Sequence, residues 1–209
     1  MYTPSALAMT EKDDIAAFIH HFGFALLVTP DLDATHLPLF LDREQSPMGM
    51  LYGHLSRANP QAHTLDGQRV LAIFSGPHSY ISPTWYASAP AVPTWNYAAV
   101  HCYGQVELLS EAETTRSMDT LVTQYEPALL SDDAVAQALM PSAFKQKLQQ
   151  GVVGFRILLD QIQGKEKLGQ QRPDADQQGV YQALQQSDRH DERALAAYMK
   201  QRQLGTGAR

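Results

Sequence analysis

The sequence predicts an α+β protein in which six or seven mostly antiparallel strands form a closed or split barrel with flanking helices. Alternating apolar residues recur in short runs from residue 24 onward, and the connections between these runs are short. Helical periodicity is confined to the start, the late middle and the end of the chain. A barrel is the economical arrangement because it hides strand edges. We expect a barrel domain over residues 1–164 and a helical extension over 165–209.

The first half of the chain predicts a helix followed by four strands. Apolar residues recur at i, i+3, i+4 and i+7 from Ile15, which predicts a helix over residues 11–21. Strands are predicted over residues 24–29, 35–41, 48–55 and 69–75. Pro38 cannot donate a hydrogen bond to a ladder, so the second of these strands is an edge or carries a bulge there.

The second half predicts two more strands separated by helices. A long strand runs to Leu108, with Cys102 in the middle of its apolar face. Ser110 and Glu113 form a capping box. The helix that follows is expected to turn Met118, Leu121, Val122 and Tyr125 inward. Further elements are a helix over 132–149 broken near Pro141, a strand over 151–162, and helices from about residue 174.

Composition narrows the function classes. The chain has 209 residues, of which 44% are hydrophobic and 18% charged, so it can bury a core. No window approaches the roughly 20 apolar residues that a membrane helix requires, and no signal peptide is recognisable, so we expect a cytoplasmic protein. Cys102 is the single cysteine, which excludes an intramolecular disulfide.

Net charge is unfavourable for nucleic-acid binding. The chain carries a formal charge of −6, and phosphate contacts supply most non-specific DNA affinity. Residues 165–209 hold eight Lys and Arg against six Asp and Glu, so this segment alone is mildly basic. There is no helix-turn-helix signature, and DNA therefore remains a weakly supported partner. Metal-binding HExxH, hydrolase GxSxG and the glycine-rich phosphate loops are also missing from the sequence.

Polar and aromatic residues cluster where strands begin or end. The segment GPHSYISPTWY, residues 76–86, is predicted to be a loop that forms the wall of a cleft. Such a cleft suits a flavin, whose ring system needs aromatic faces and directed donors. The candidate residues are Thr35, His36, His54, Arg57, Asn59, Tyr80, Ser82, Trp85, Tyr86, Trp95 and Asn96. The alternative is that the aromatic rings are core or interface anchors, that His54 is structural and that Arg57 is in a surface ion pair.

These stretches resemble a known family. ATHLPL, GMLYGHLSRANPQ, GPHSYISPTWY, VPTWNYAAVHCYG, GVVGFRI and GKEKLGQQR are similar, in this order, to the PaiB-like family of FMN-binding transcriptional regulators. The resemblance runs from Met1 to about Leu184. It implies an FMN-binding split barrel of Greek-key type, a homodimer with the cofactor at the subunit interface, and negative regulation of sporulation and degradative-enzyme genes.

Three cations are candidates for the FMN phosphate: Arg57, Lys165 and Lys167. Gly169 stands where the family usually carries a serine, which leaves the contribution of that position open. We expect FMN to be preferred to FAD because nothing resembles a dinucleotide fold. The catalytic residues are unknown and no metal is expected.

Three functions remain open. The first is a dimeric FMN-binding protein that acts as a negative transcriptional regulator. The second is a flavin-dependent oxidoreductase whose regulatory effect is indirect. The third is a barrel that binds haem or another small molecule. Residues 76–97 contain more aromatic side chains than one barrel should expose to water, which supports the homodimer.

Overall fold

The computed structural model describes residues 1–131 and 134–207. These residues form two compact units. The unit called the terminal unit below consists of Met1–Ile15, Ser75–Val100 and Gln163–Arg209, and the central unit consists of Ala16–Phe74 and His101–Ile162. Residue 164, the predicted domain boundary, lies inside a long strand that contributes residues to both units.

The described part of the chain contains strands, α-helices and single 3₁₀ turns. The strands are β1 (Ala8–Met9), β2 (Phe24–Val28), β3 (Ala34–Pro38), β4 (Phe40–Asp42), β5 (Met50–Ser56), β6 (Arg69–Ile81), β7 (Thr94–Leu108) and β8 (Val152–Lys167). The α-helices are α1 (Lys12–His21), α2 (Glu111–Tyr125), α3 (Ala134–Leu139), α4 (Ser142–Gln150), α5 (Asp174–Gln186) and α6 (His190–Arg202). The 3₁₀ turns are Ser5–Leu7, Pro60–His63, Pro83–Trp85 and Pro127–Leu130.

The strands form one antiparallel sheet in the order β3-β2-β6-β7-β8-β5-β4, with β1 paired to β8. The two ends of this order, β3 and β4, are separated in sequence by Leu39 alone. The sheet therefore curls back toward its own beginning, which is the barrel-like arrangement predicted from the strand pattern.

Leu39 divides what was predicted to be one strand. β3 pairs with β2, whereas β4 pairs with β5. Between them the Leu39 amide donates to the Gly23 carbonyl over 2.8 Å, and the Leu39 side chain is fully buried. The prediction of a continuous strand over 35–41 is wrong because this stretch has to serve two partner strands. Pro38, which lacks an amide hydrogen, is the last residue of β3.

The predicted loop over residues 76–86 is largely strand. β6 continues to Ile81, and the remainder is a 3₁₀ turn over Pro83–Trp85. Gly76, Ser79 and Ile81 are buried, so the inward alternation slips by one residue between Gly76 and Ser79. Because of this slip, and because the inward residues are small, the segment does not show the alternation of large apolar residues that predicts a strand.

Helix α2 begins where it was predicted to begin, but the face that it buries is not the predicted one. The capping box of Ser110 and Glu113 is present. The buried residues of the helix are Thr114 and Ser117, whereas Tyr125 is 56% exposed. A Cβ at Gly154 would lie 2.3 Å from the Thr114 hydroxyl oxygen, so the helix approaches β8 closely there. The prediction that the large residues of the helix face inward is wrong, because only small side chains allow the helix to lie this close to β8.

Each unit has its own apolar core. In the central unit, Leu27, Leu51, Phe74, Phe155 and Ile157 are fully buried. In the terminal unit the fully buried residues are Ile81, Leu168, Leu184, Leu195 and Met199. Helices α5 and α6 confirm the helical periodicity predicted from about residue 174.

A charged cluster anchors α6 inside the terminal unit. Arg202 Nε donates to Glu166 Oε1 over 2.7 Å, and its two terminal nitrogens donate to the Asp14 carboxylate over 2.5 and 2.6 Å. The Tyr198 hydroxyl donates to Glu166 over 2.6 Å. Glu166 is 3% exposed, so these hydrogen bonds replace the water that its carboxylate loses on burial. Burial and the neighbouring Glu166 carboxylate raise the pKa of Tyr198, which keeps the phenol protonated.

None of the helices in the described ranges is long and apolar enough to span a membrane.

Candidate functional site

A pocket of about 220 Å³ in the terminal unit brings together three of the predicted site residues. It is called the Lys167 pocket below. Tyr86, Asn96 and Lys167 line it, together with Thr94 and Arg172. The cavity is smaller than the roughly 300–1,000 Å³ typical of whole-ligand sites, so it can hold one end of a cofactor.

The chain positions these side chains by strand ends and a turn. Asn96 lies near the start of β7, and Lys167 is the last residue of β8. Gly169 follows with φ +80°, a left-handed conformation that favours glycine. The turn then closes with a hydrogen bond from the Arg172 amide to the Gly169 carbonyl over 2.9 Å. Because of this turn, Lys167 and Arg172 lie on the same pocket.

Lys167 has a neutral partner in the pocket. Its amine donates to the Thr94 hydroxyl over 2.5 Å. No ion pair to Lys167 occurs within residues 1–131 and 134–207. The positive charge of Lys167 is therefore not neutralised by a carboxylate and is available to an anion.

Arg172 is held in place by an aromatic ring and a buried acid. Its guanidinium carbon lies 3.8 Å from the centroid of the Tyr86 ring. Its Nη1 donates to Asp176 over 3.4 Å. Asp176 is 1% exposed and accepts from the Ser88 hydroxyl over 2.6 Å and the Ser88 amide over 2.8 Å. The hydrogen bond from the Ser88 hydroxyl is the main cause that lowers the pKa of Asp176, and Arg172 lowers it further. Asp176 therefore stays charged and orients Arg172.

Asn96 adds an uncommitted polar group. The residue is 3% exposed, yet its side-chain amide has no hydrogen-bond partner among the described residues. An amide that lines a pocket and makes no hydrogen bond to the described residues can bond a ligand there. With Lys167 and Arg172 it provides donors of the kind that a phosphate or carboxylate accepts.

Other predicted residues of the terminal unit lie elsewhere. Tyr80 and Trp95 are 44% and 53% exposed and meet edge to face, with ring centroids 6.2 Å apart. Ser82 caps the 3₁₀ turn that contains Trp85, accepting from the Thr84 amide over 3.2 Å. These side chains do not line the Lys167 pocket.

Lys165 is engaged within the fold. It is 7% exposed, and its amine donates to the Tyr2 carbonyl over 2.9 Å. The amine also lies 5.7 Å and 5.2 Å from the ring centroids of Tyr2 and Tyr97. Lys167 lies only two residues further along the same strand, yet it lines the pocket.

The five predicted residues of the central unit are mostly committed to structural contacts. Asn59 donates to the Thr35 hydroxyl over 3.0 Å and accepts from the Gln61 amide over 3.0 Å, capping the turn that follows. Arg57 donates to the carbonyls of Gln150 and Val152 over 3.1 and 3.0 Å.

The two predicted histidines of this unit lie on strands β3 and β5. His36 stacks on Phe24, with ring centroids 5.7 Å apart. Burial lowers the pKa of His54, so its imidazole is neutral at pH 7. Arg57 lines a cavity of about 420 Å³ in the central unit, and neither histidine lines that cavity.

Sequence reasoning did not commit to Arg172 and Thr94. Arg172 was visible as a cation in the GKEKLGQQR stretch, but only the turn at Gly169 shows that it faces Lys167. Thr94 directly precedes Trp95 and Asn96, and no local sequence pattern marks it as a site residue.

Solved structures share the fold of this chain. The FAD and heme binding protein from Mycobacterium smegmatis matches with a TM-score of 0.57 at 14% identity, covering 78% of this chain and 74% of that one. The flavocytochrome Anf3 from Azotobacter vinelandii matches with a TM-score of 0.58 at 16% identity, covering 78% and 71%. These likenesses and the curled antiparallel sheet confirm the predicted split-barrel fold.

Sequence relatives place the chain in a family. The protease synthase and sporulation protein PAI 2 of Bacillus subtilis is 33% identical over 204 residues, covering 96% of this chain and 97% of the relative. An uncharacterized protein of Emericella nidulans is 26% identical, covering 83% of each chain. The PaiB-like resemblance is thereby confirmed. A family model described as "Putative FMN-binding domain" matches residues 1–161, and the chain belongs to that family.

Proposed function

We propose that this protein binds FMN on its split barrel and holds the cofactor phosphate in the Lys167 pocket. The observation that carries the proposal is the presence of Lys167, Arg172 and the unpartnered Asn96 amide around one cavity. The family description names FMN, which agrees with a pocket suited to a phosphate. When bound, the flavin would supply electron-transfer chemistry, while these residues would bind and orient its phosphate end.

A terminal phosphate fits this pocket better than an internal diphosphate. The terminal phosphate of FMN carries more negative charge than either phosphate of the FAD diphosphate. It also offers three oxygens to Lys167, Arg172 and Asn96. FAD would have to continue past the phosphate, and a cavity of about 220 Å³ has little room for an adenylate. We therefore expect FMN to bind more tightly than FAD.

A second subunit is proposed to cover the flavin ring. The Lys167 pocket holds only the phosphate end, and the same unit exposes the rings of Tyr80 and Trp95. A homodimer would bury such rings. Sedimentation at micromolar concentration should show a dimer, and a stable folded monomer under these conditions would contradict this part of the proposal.

Titration with FMN and riboflavin tests the phosphate site. Riboflavin has the same ring system and no phosphate, so wild-type protein should prefer FMN. Lys167→Ala and Arg172→Ala should each weaken FMN binding by about ten- to a hundredfold, since a charge-assisted bond is worth roughly 1.5–3 kcal/mol. Riboflavin affinity should change little in either variant.

The control variant is Arg69→Gln, which removes one exposed positive charge from the central unit. It should keep the wild-type preference for FMN over riboflavin. If Lys167→Ala and Arg172→Ala also keep that preference, the phosphate is bound elsewhere and the proposed site is wrong.

We propose further that the protein acts in the cytoplasm as a negative transcriptional regulator. A regulatory role is what the PaiB-like resemblance implies, and one relative is named for protease synthesis and sporulation. Transcript levels in a strain lacking the gene should rise for the regulated genes, and wild-type protein should restore them. Gel shifts at two salt concentrations would show whether DNA is bound directly, because phosphate contacts weaken steeply with salt. Restoration by a variant that has lost FMN would separate regulation from flavin binding.

A further inference from the structure

A second cavity lies wholly within the central unit and shares no residue with the Lys167 pocket. It has a volume of about 600 Å³ and is bounded by β4, Tyr52 of β5 and helix α2. It is called the α2 groove below. Its size falls within the range typical of small-molecule sites.

The wall of the α2 groove includes a flat aromatic surface. Phe40 and Tyr52 are direct cross-strand partners, and their rings stack with centroids 5.3 Å apart and planes inclined by 12°. The Tyr52 hydroxyl donates to Gln45 over 2.9 Å, and Gln45 in turn donates to Asp42 over 2.8 Å. The polar end of Tyr52 is therefore satisfied. Its ring is only 9% exposed, so the Phe40 ring stacked on it is the more accessible apolar surface in the groove.

The charged residues around the groove are Asp42, Arg43, Glu44, Glu113, Arg116 and Arg156. Arg156 and Glu113 are engaged by other residues of the protein. Arg156 donates to Glu107 over 2.8 Å and lies 3.7 Å from Glu113. Glu113 accepts from the Ser110 hydroxyl over 2.6 Å in the capping box. The guanidinium of Arg116 has no hydrogen-bond partner within the described part of the chain, and the Glu113 carboxylate attracts it electrostatically.

Ser117, next to Arg116, is one of the two buried residues of α2, together with Thr114. Three of the four threonines of the helix, Thr115, Thr120 and Thr123, donate their hydroxyls to the carbonyl four residues earlier over 2.8–3.0 Å. Ser117 does not do so, and its hydroxyl lacks a partner in the residues described, although Ser117 is only 7% exposed. A hydroxyl in a cavity wall that makes no hydrogen bond within the described residues can donate to a ligand atom.

We infer that the α2 groove binds a small planar organic anion of the aromatic carboxylate class. The Arg116 guanidinium would donate two parallel hydrogen bonds to the carboxylate, and the Ser117 hydroxyl would donate a third. The flat body of the ligand would pack against the Phe40 ring, behind which Tyr52 lies. This site is independent of the proposed flavin site.

Calorimetric titration with benzoate, cyclohexanecarboxylate and inorganic phosphate tests the inference. Benzoate should bind saturably with a dissociation constant on the order of 1 mM. Cyclohexanecarboxylate has the same charge without a flat ring and should bind several-fold more weakly, as should phosphate. The absence of saturable benzoate binding, or equal affinity for all three probes, would overturn the inference.

Variants of the two donors sharpen the test. Arg116→Gln should weaken benzoate at least about tenfold, because it removes the charged partner. Ser117→Ala should weaken it about threefold to tenfold, and Arg69→Gln should leave it unchanged. Unfolding curves check that the variants remain folded. Wild-type benzoate affinity in Arg116→Gln would refute the site. If Arg116→Gln weakens FMN instead of benzoate, the groove is the flavin site and the inference of a second ligand fails.

Discussion

Arg202 allows a quantitative test of what holds the terminal unit together. Arg202→Met removes the guanidinium and keeps a side chain of similar length. Glu166, 3% exposed, then retains the Tyr198 hydroxyl as its remaining donor among the residues that the structure describes. The variant thus leaves a buried carboxylate only partly satisfied, which is one of the more damaging changes a fold can undergo.

The magnitude follows from the burial of each partner. Breaking a buried ion pair by removing one member costs about 3–5 kcal/mol. The Arg202 side chain is 23% exposed, so water reaches part of the vacated space, and the Tyr198 hydrogen bond survives. Asp14 is 34% exposed, so losing its pair adds under about 1 kcal/mol. We expect the free energy of unfolding to fall by about 3 kcal/mol, and the thermal midpoint by about 6–12 °C.

Urea unfolding followed by circular dichroism measures this loss. Adding Glu166→Gln to Arg202→Met removes the unpaired charge and should restore about 1 kcal/mol or more relative to the single variant. Arg69→Met, which breaks an exposed ion pair with Asp160, is the matched control and should unfold like wild type. If Arg202→Met unfolds like Arg69→Met, or if the two changes in the double variant are simply additive, Arg202 does not stabilise the buried Glu166 charge.

Two further predictions concern close packing and acid stability. Gly104→Ala would place a Cβ 2.2 Å from a backbone oxygen of β8, so unfolding should become easier by about 1–3 kcal/mol, whereas Gly151→Ala meets its nearest atom at 3.3 Å and should cost less. Equal urea midpoints for these variants would contradict this. Hydrogen bonds from Ser88 lower the pKa of Asp176, so its stabilising contribution is present above the ordinary value near 3.9 and is lost as pH falls through the lower folded-state value. Asp176→Asn should therefore be less stable at pH 7 and decline less steeply below about pH 4 in thermal melts; parallel curves would exclude this role.

Local pattern in the sequence was sufficient for most elements. The period-two runs predicted β2, β5 and the first part of β8, and the Ser110 and Glu113 spacing predicted the start of α2. The long motifs also indicated the family and hence the split barrel. These features depend on residues close together in the chain, so a single sequence contains the information.

Long-range contacts decided the rest. Lys165 and Lys167 are two residues apart on one strand, yet Tyr2 accepts a hydrogen bond from the first, while the second lines a pocket with Arg172. Leu39 interrupts a strand because its two flanks pair with different partners. The sequence alone determined the type and order of most elements, because backbone periodicity is local. Which side chains are covered and which remain free to bind a ligand was decided by segments distant in the chain, because burial depends on what packs against a residue and not on its neighbours in sequence.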